Sequence, residues 1–85
     1  MRLTFEISQN GTALDIFFDA EGRDQLIKRL SECTEPGDHY HLGFEEASVP
    51  GYIITADRPQ VGGTVVEFVT VGMPVGWRQD EATEP

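Results

Sequence analysis

His39 and His41 come nearest to chemistry by type and spacing. In the stretch Asp38-His39-Tyr40-His41-Leu42, side chains two apart on a strand point the same way, so the two imidazoles can reach one metal ion. A zinc site takes at least three protein ligands. Glu45, Glu46 or Glu67 would have to add a carboxylate, and nothing in their spacing requires it. A polar strand face accounts for both histidines equally well, so His39 and His41 are the only metal candidates and no metal site is expected. Cys33 could be a nucleophile served by one of them. It also completes an apolar helical stripe with Leu26 and Leu30, where a free cysteine behaves as a small hydrophobe. Glu45-Glu46, adjacent in a polar stretch, reads as a solvated patch rather than an acid and base. Gly62-Gly63 lacks the Lys and Ser/Thr of a phosphate loop and reads as a turn. These residues point to no enzyme and no cofactor.

Composition sets the frame in which they act. A chain of 85 residues makes one domain with a modest core, and 39% hydrophobic against 25% charged residues is a globular balance rather than a disordered one. Apolar runs such as Ile16-Phe17-Phe18 fall far short of the roughly 20 residues a membrane span needs. Met1 to Glu6 alternates and has no continuous apolar stretch of the signal-peptide kind. With a single cysteine, no internal disulfide can form, and a cytoplasmic protein is expected. Fifteen Asp and Glu against six Lys and Arg give a net charge of −9. That charge repels nucleic acid and anionic membrane and attracts basic proteins, although it also serves simply to keep a small protein soluble.

The elements that position these groups follow from periodicity. Leu3, Phe5 and Ile7 alternate with polar residues, and Leu14, Ile16 and Phe18 repeat the pattern after Asn10-Gly11, which predicts a β-hairpin closed by a tight turn or by a longer loop over Gln9 to Thr12. Leu26, Ile27, Leu30 and Cys33 then line one face of a helix. Asp19 is its expected N-cap, with Glu21 and Asp24 near its positive end, and Glu35-Pro36-Gly37-Asp38 stops it. A strand at 38–42 should place Tyr40 and Leu42 inward and His39 and His41 outward. Gly43 to Gly51 reads as a loop, Tyr52-Ile53-Ile54-Thr55 as a short strand, and Thr64 to Val71 as a long central strand. Trp77 is expected to fold back over the core, with Arg78 beside it as an alternative interface pair. The expected fold is a single α+β domain over residues 1–76, β-β-α-β-β-β, a mainly antiparallel sheet with one helix packed on one face, followed by an acidic tail at 77–85. One helix leaves sheet uncovered at Phe17 and along one side of the last strand, a face for a partner or a second copy of the chain.

The run Leu14-Asp15-Ile16, Asp19-Ala20-Glu21-Gly22, Leu26-Ile27-Lys28-Arg29-Leu30 and Gly37-Asp38-His39-Tyr40-His41-Leu42 resembles the immunity protein 32 family of bacterial polymorphic toxin systems. The resemblance covers Leu14 to Leu42, loosely thereafter. It implies a cytoplasmic protein that binds a cognate toxin, a basic nuclease for instance, and blocks its active site. An acidic inhibitor can steer onto a basic cleft. The contact residues expected from charge and exposure are Glu45, Glu46, Asp57 and Glu67, with Tyr40 and Tyr52 as aromatic anchors. The competing reading is a homodimeric structural or regulatory module, with a histidine-based metal protein behind it.

Overall fold

The computed structural model describes residues 1–44, 52–57, 60 and 62–77. Alternation at the start of the chain forms β1 (Leu3–Ile7) and β2 (Leu14–Phe18), paired antiparallel with Leu3 opposite Phe18 and Ile7 opposite Leu14. The connection is the longer loop. Ser8 N–H donates to the Ala13 carbonyl (3.0 Å) and Gly11 N–H to that of Ser8 (2.9 Å). Asn10 Oδ1 accepts from Thr12 N–H and from the Ser8 and Thr12 hydroxyls. Helix α1 (Ala20–Glu32) starts at the expected cap, with Asp19 Oδ1 accepting from Gly22 N–H at 2.8 Å. It ends at Cys33, beyond which Asp38 Oδ2 accepts from Thr34 N–H and Glu35 N–H to organise the turn.

Strand β3 (His39–Gly43) pairs with β5 (Phe68–Gly72), Tyr40 opposite Val71 and Leu42 opposite Val69. Two residues, Thr64–Val65, form β4 on the free edge of β1. The architecture is therefore α+β, one helix with mainly antiparallel pairing in the order β-β-α-β-β-β. Two of the six elements differ from expectation. Tyr52 to Thr55 is not a strand. It contributes one parallel bridge, Ile53 with Gly43, and Thr55 N–H donates to the Leu3 carbonyl at 2.7 Å. The stretch 64–71 is not one central strand either, because the chain turns at Val66 and Glu67 and passes from one sheet (order β2-β1-β4) into another (order β3-β5). Val66 N–H donates to the Phe5 carbonyl at the corner.

The core is Leu3, Phe5, Leu42 and Ile54, with Leu26, Phe44, Tyr52, Val66 and Val69 packed against it. Helix α1 reaches it through a face other than the one its apolar residues suggest. Gly22 and Arg29 are buried, while Ile27 and Leu30 are 53% and 50% exposed. Gly22 is the point of closest approach, since a β-carbon there would overlap the Arg2 carbonyl. Trp77 stays at the surface, 69% exposed, instead of closing the core. Among the described residues no helix is long and apolar enough to cross a membrane.

Candidate protein-binding surface

Six side chains were expected to meet a partner, and the four that are described, Tyr40, Tyr52, Asp57 and Glu67, are not gathered at one place. Glu45 and Glu46 lie outside the described residues. Glu67 is exposed at the corner between β4 and β5.

Asp57 is occupied on the face of the sheet turned away from Leu3 and Phe5. Its Oδ2 accepts from the Thr4 and Thr55 hydroxyls, both at 2.7 Å. Those hydroxyls, first Thr4 and then Thr55, hold the carboxyl below its usual range against the opposing effect of desolvation. Arg2 Nε stands 4.0 Å from its other oxygen. Beside it Glu6, fully buried, accepts from the backbone N–H of Gln60 through both oxygens. A cleft of about 230 Å³ opens here, lined by Arg2, Thr4, Phe17, Asp57 and Gln60 among others. Each carboxylate in this group accepts hydrogen bonds that tie Asp57 or Gln60 to β1, which is a structural task.

Tyr40 and Tyr52 do come together, with ring centroids 5.4 Å apart in a stacked arrangement. Arg29 covers them, its guanidinium carbon 4.2 Å from the Tyr52 centroid and 5.8 Å from that of Tyr40. Burial, together with the Glu32 carboxylate, raises the Tyr40 hydroxyl above its ordinary value. The pair is half-buried and engaged within the molecule.

His39 and His41 project from β3 as expected, exposed, with ring centroids 5.0 Å apart and nearly perpendicular. His39 Nδ1–H donates to the Gly37 carbonyl at 2.9 Å, and His41 Nδ1 lies 3.0 Å from the Thr70 hydroxyl. Among the described residues no group of three or more His, Cys, Asp or Glu side chains is placed to hold a metal ion. Cys33 is half-buried and free, as its place near the helix stripe implied.

What sequence reasoning missed is the apolar surface left on β2 and on one flank of α1. Leu14, Ile16 and Phe18 share the face of Leu3, Phe5 and Ile7 through their register, yet are 58%, 40% and 52% exposed. On the helix, Gln25 Nε2 donates to the Ile53 carbonyl at 2.5 Å. Ile27, roughly 200° further round the helix, is on the flank turned away from that segment, and Leu30 lies between this flank and the buried face. The available signal was Ile16-Phe17-Phe18 itself, since consecutive apolar residues on a strand present apolar surface on both faces.

Charge surrounds this surface unevenly. Each described arginine is paired, Arg2 with Asp57, Arg23 with Asp24 (3.1 Å) and Arg29 with Glu32 (2.6 Å), whereas Glu21, Glu35 and Glu67 are exposed and their carboxylates make no ion pair among the described residues. Compared with protein-family models, curated proteins and solved structures, the chain matches none.

Proposed function

We propose that this chain works by binding another protein rather than by catalysis, and that its partner is basic, as a toxin held by an immunity-type protein would be. The observation that carries this reading is the disposition of charge. Among the described residues Arg2, Arg23 and Arg29 each have a carboxylate within 4.0 Å, while carboxylates on α1, after α1 and at the β4–β5 corner stay exposed, so that in a chain of net charge −9 these elements offer acidic groups to an approaching cation-rich surface. The carboxylates that are buried or shared make hydrogen bonds to the fold itself, which leaves them no catalytic role in this reading. A toxin active site is one such basic surface, and occupation of it by carboxylates takes the place of a phosphate substrate.

The test is a pull-down of the tagged chain from the cells that make it, followed by titration of the purified partner. A stoichiometric basic protein whose affinity falls as salt rises, and falls more than tenfold when Glu45, Glu46 and Glu67 are changed to Lys, supports the reading. An affinity indifferent to both removes it.

A further inference from the structure

The outer edge of β2 has the pattern of a strand that pairs with itself. In the β1–β2 ladder, Asp19 N–H donates to the Arg2 carbonyl and Ser8 N–H to that of Ala13. With the antiparallel register, this assigns the peptide groups of Ala13, Asp15, Phe17 and Asp19 to β1. Those of Leu14, Ile16 and Phe18 therefore point to the free edge. The opposite side of β1 follows the same alternation, since Leu3 and Phe5 accept from Thr55 and Val66 there. Among the described residues strand β2 ends its sheet, and it has none of the lysine, proline or bulge that ordinarily blunts an edge.

We infer that two copies of this chain associate through β2, antiparallel, about a two-fold axis at Ile16. Only the register that sets Ile16 opposite Ile16 and Leu14 opposite Phe18 matches all three outward-facing residues with their counterparts, giving six backbone hydrogen bonds. A shift of one pair toward the N-terminus puts Asp15 opposite Asp15, a like-charge contact that disfavours it. In the chosen register Asp15 faces Phe17. Because residues that pair share a face, Leu14, Ile16 and Phe18 of both copies form one apolar surface on the helix side of a continuous six-stranded sheet, bordered by Ile27 and Leu30 of each helix.

The area suits such a dimer. An aromatic side chain presents about 150–250 Å² when fully exposed, and isoleucine and leucine lie toward the lower end of that range. At the exposures of Ile7, Leu14, Ile16, Phe18, Ile27 and Leu30, they leave roughly 500 Å² of apolar surface on that side, within the range of the largest patch a monomer carries. A stable interface of about 800 Å² per partner, some 65% of it apolar, contains ~500 Å² of such surface. The association is independent of what the acidic surface binds.

Sedimentation equilibrium on the full chain, with amide hydrogen exchange read residue by residue, tests this. The expected result is a species of twice the 9.4 kDa chain mass. Its Leu14, Ile16 and Phe18 amides become protected as concentration rises, and its affinity increases with salt as the repulsion between two acidic copies is screened. I16P removes an outward N–H without touching the β1 ladder and should give a folded monomer, with at least a hundredfold loss of dimer affinity. I16K should do the same by placing two charges at the axis. A monomer at millimolar concentration, a dimer in which those three amides stay unprotected, or protection that arises only with a different protein bound would each overturn the inference.

Discussion

Arg29 sits over the Tyr52 ring, its guanidinium carbon 4.2 Å from the centroid, and is one of the most enclosed charged side chains among the described residues although it sits in the last turn of an amphipathic helix. The side chain closes the core with its stem, stacks its planar head on one aromatic ring and leaves its charge to Glu32 at 2.6 Å. Truncation to Ala should cost about 2–3 kcal/mol, and Arg29→Lys about 1 kcal/mol, because an ammonium cannot stack in the same way. Urea denaturation followed by far-UV circular dichroism measures both; an Arg29→Lys variant as stable as the parent would show that the stacking contributes nothing.

Gly22 gives a backbone test of the same helix seat. A methyl group there meets the Arg2 carbonyl rather than a flexible side chain, so Gly22→Ala should lower stability by ~2–3 kcal/mol despite the higher helix propensity of alanine. Gly→Ala at an exposed helical position with a free Cβ direction would stabilise instead, and a neutral or stabilising result at Gly22 would mean that α1 does not sit this close to β1.

Acid should loosen the Thr4–Thr55–Asp57 contact. Asp57 is held below its ordinary value in the folded chain by the two hydroxyls. A carboxylate depressed on folding contributes stability that is present above its unfolded value of about 3.9 and is lost as pH falls through the folded one. Asp19 and Asp38 are lowered too, by backbone hydrogen bonds from Arg2 and Gly22 in the first case and from Thr34 and Glu35 in the second. Stability should stay level from neutral pH down to about 5 and decline below about 4. Asp57→Asn should flatten that decline and lower stability at neutral pH, as measured by urea midpoints across pH. An unchanged acid limb would remove Asp57 from it.

Zinc should leave the chain unaffected. Two imidazoles with their Nδ1 atoms at Gly37 and Thr70 give at most a weak two-ligand contact, so the melting temperature should not move with micromolar zinc, and H39A with H41A should behave as the parent does. A zinc-dependent rise that both substitutions abolish would establish a site completed by other residues.

Much of this fold was legible because hairpin, helix and β3 each carry their own period and caps. Asp19 bonds Gly22 as an N-cap should, and Tyr40 and Leu42 alternate inward against His39 and His41. The remainder depended on what each face meets. Arg29 rather than Leu30 is buried because two tyrosines from distant segments offer it a stacking surface, and no local period encodes that. The run from Thr64 to Val71 is suited to a strand at every position but Glu67, and one charged residue is too slight a mark to predict the turn at Val66 and Glu67. The polar contacts of Asp57 with Thr4, 53 residues away, were equally invisible, which is why that residue read as a surface charge.

The split of that last stretch between two sheets also governs how the chain is made. Strand β1 is an early segment to leave the ribosome, yet its second edge is completed by Thr55, 52 residues later, and by Thr64 and Val65 later still. Such distant closures make the native state slower to nucleate than one built from local contacts. Until they occur, the nascent hairpin displays two open edges at once, each a template on which a second newly made chain can pair.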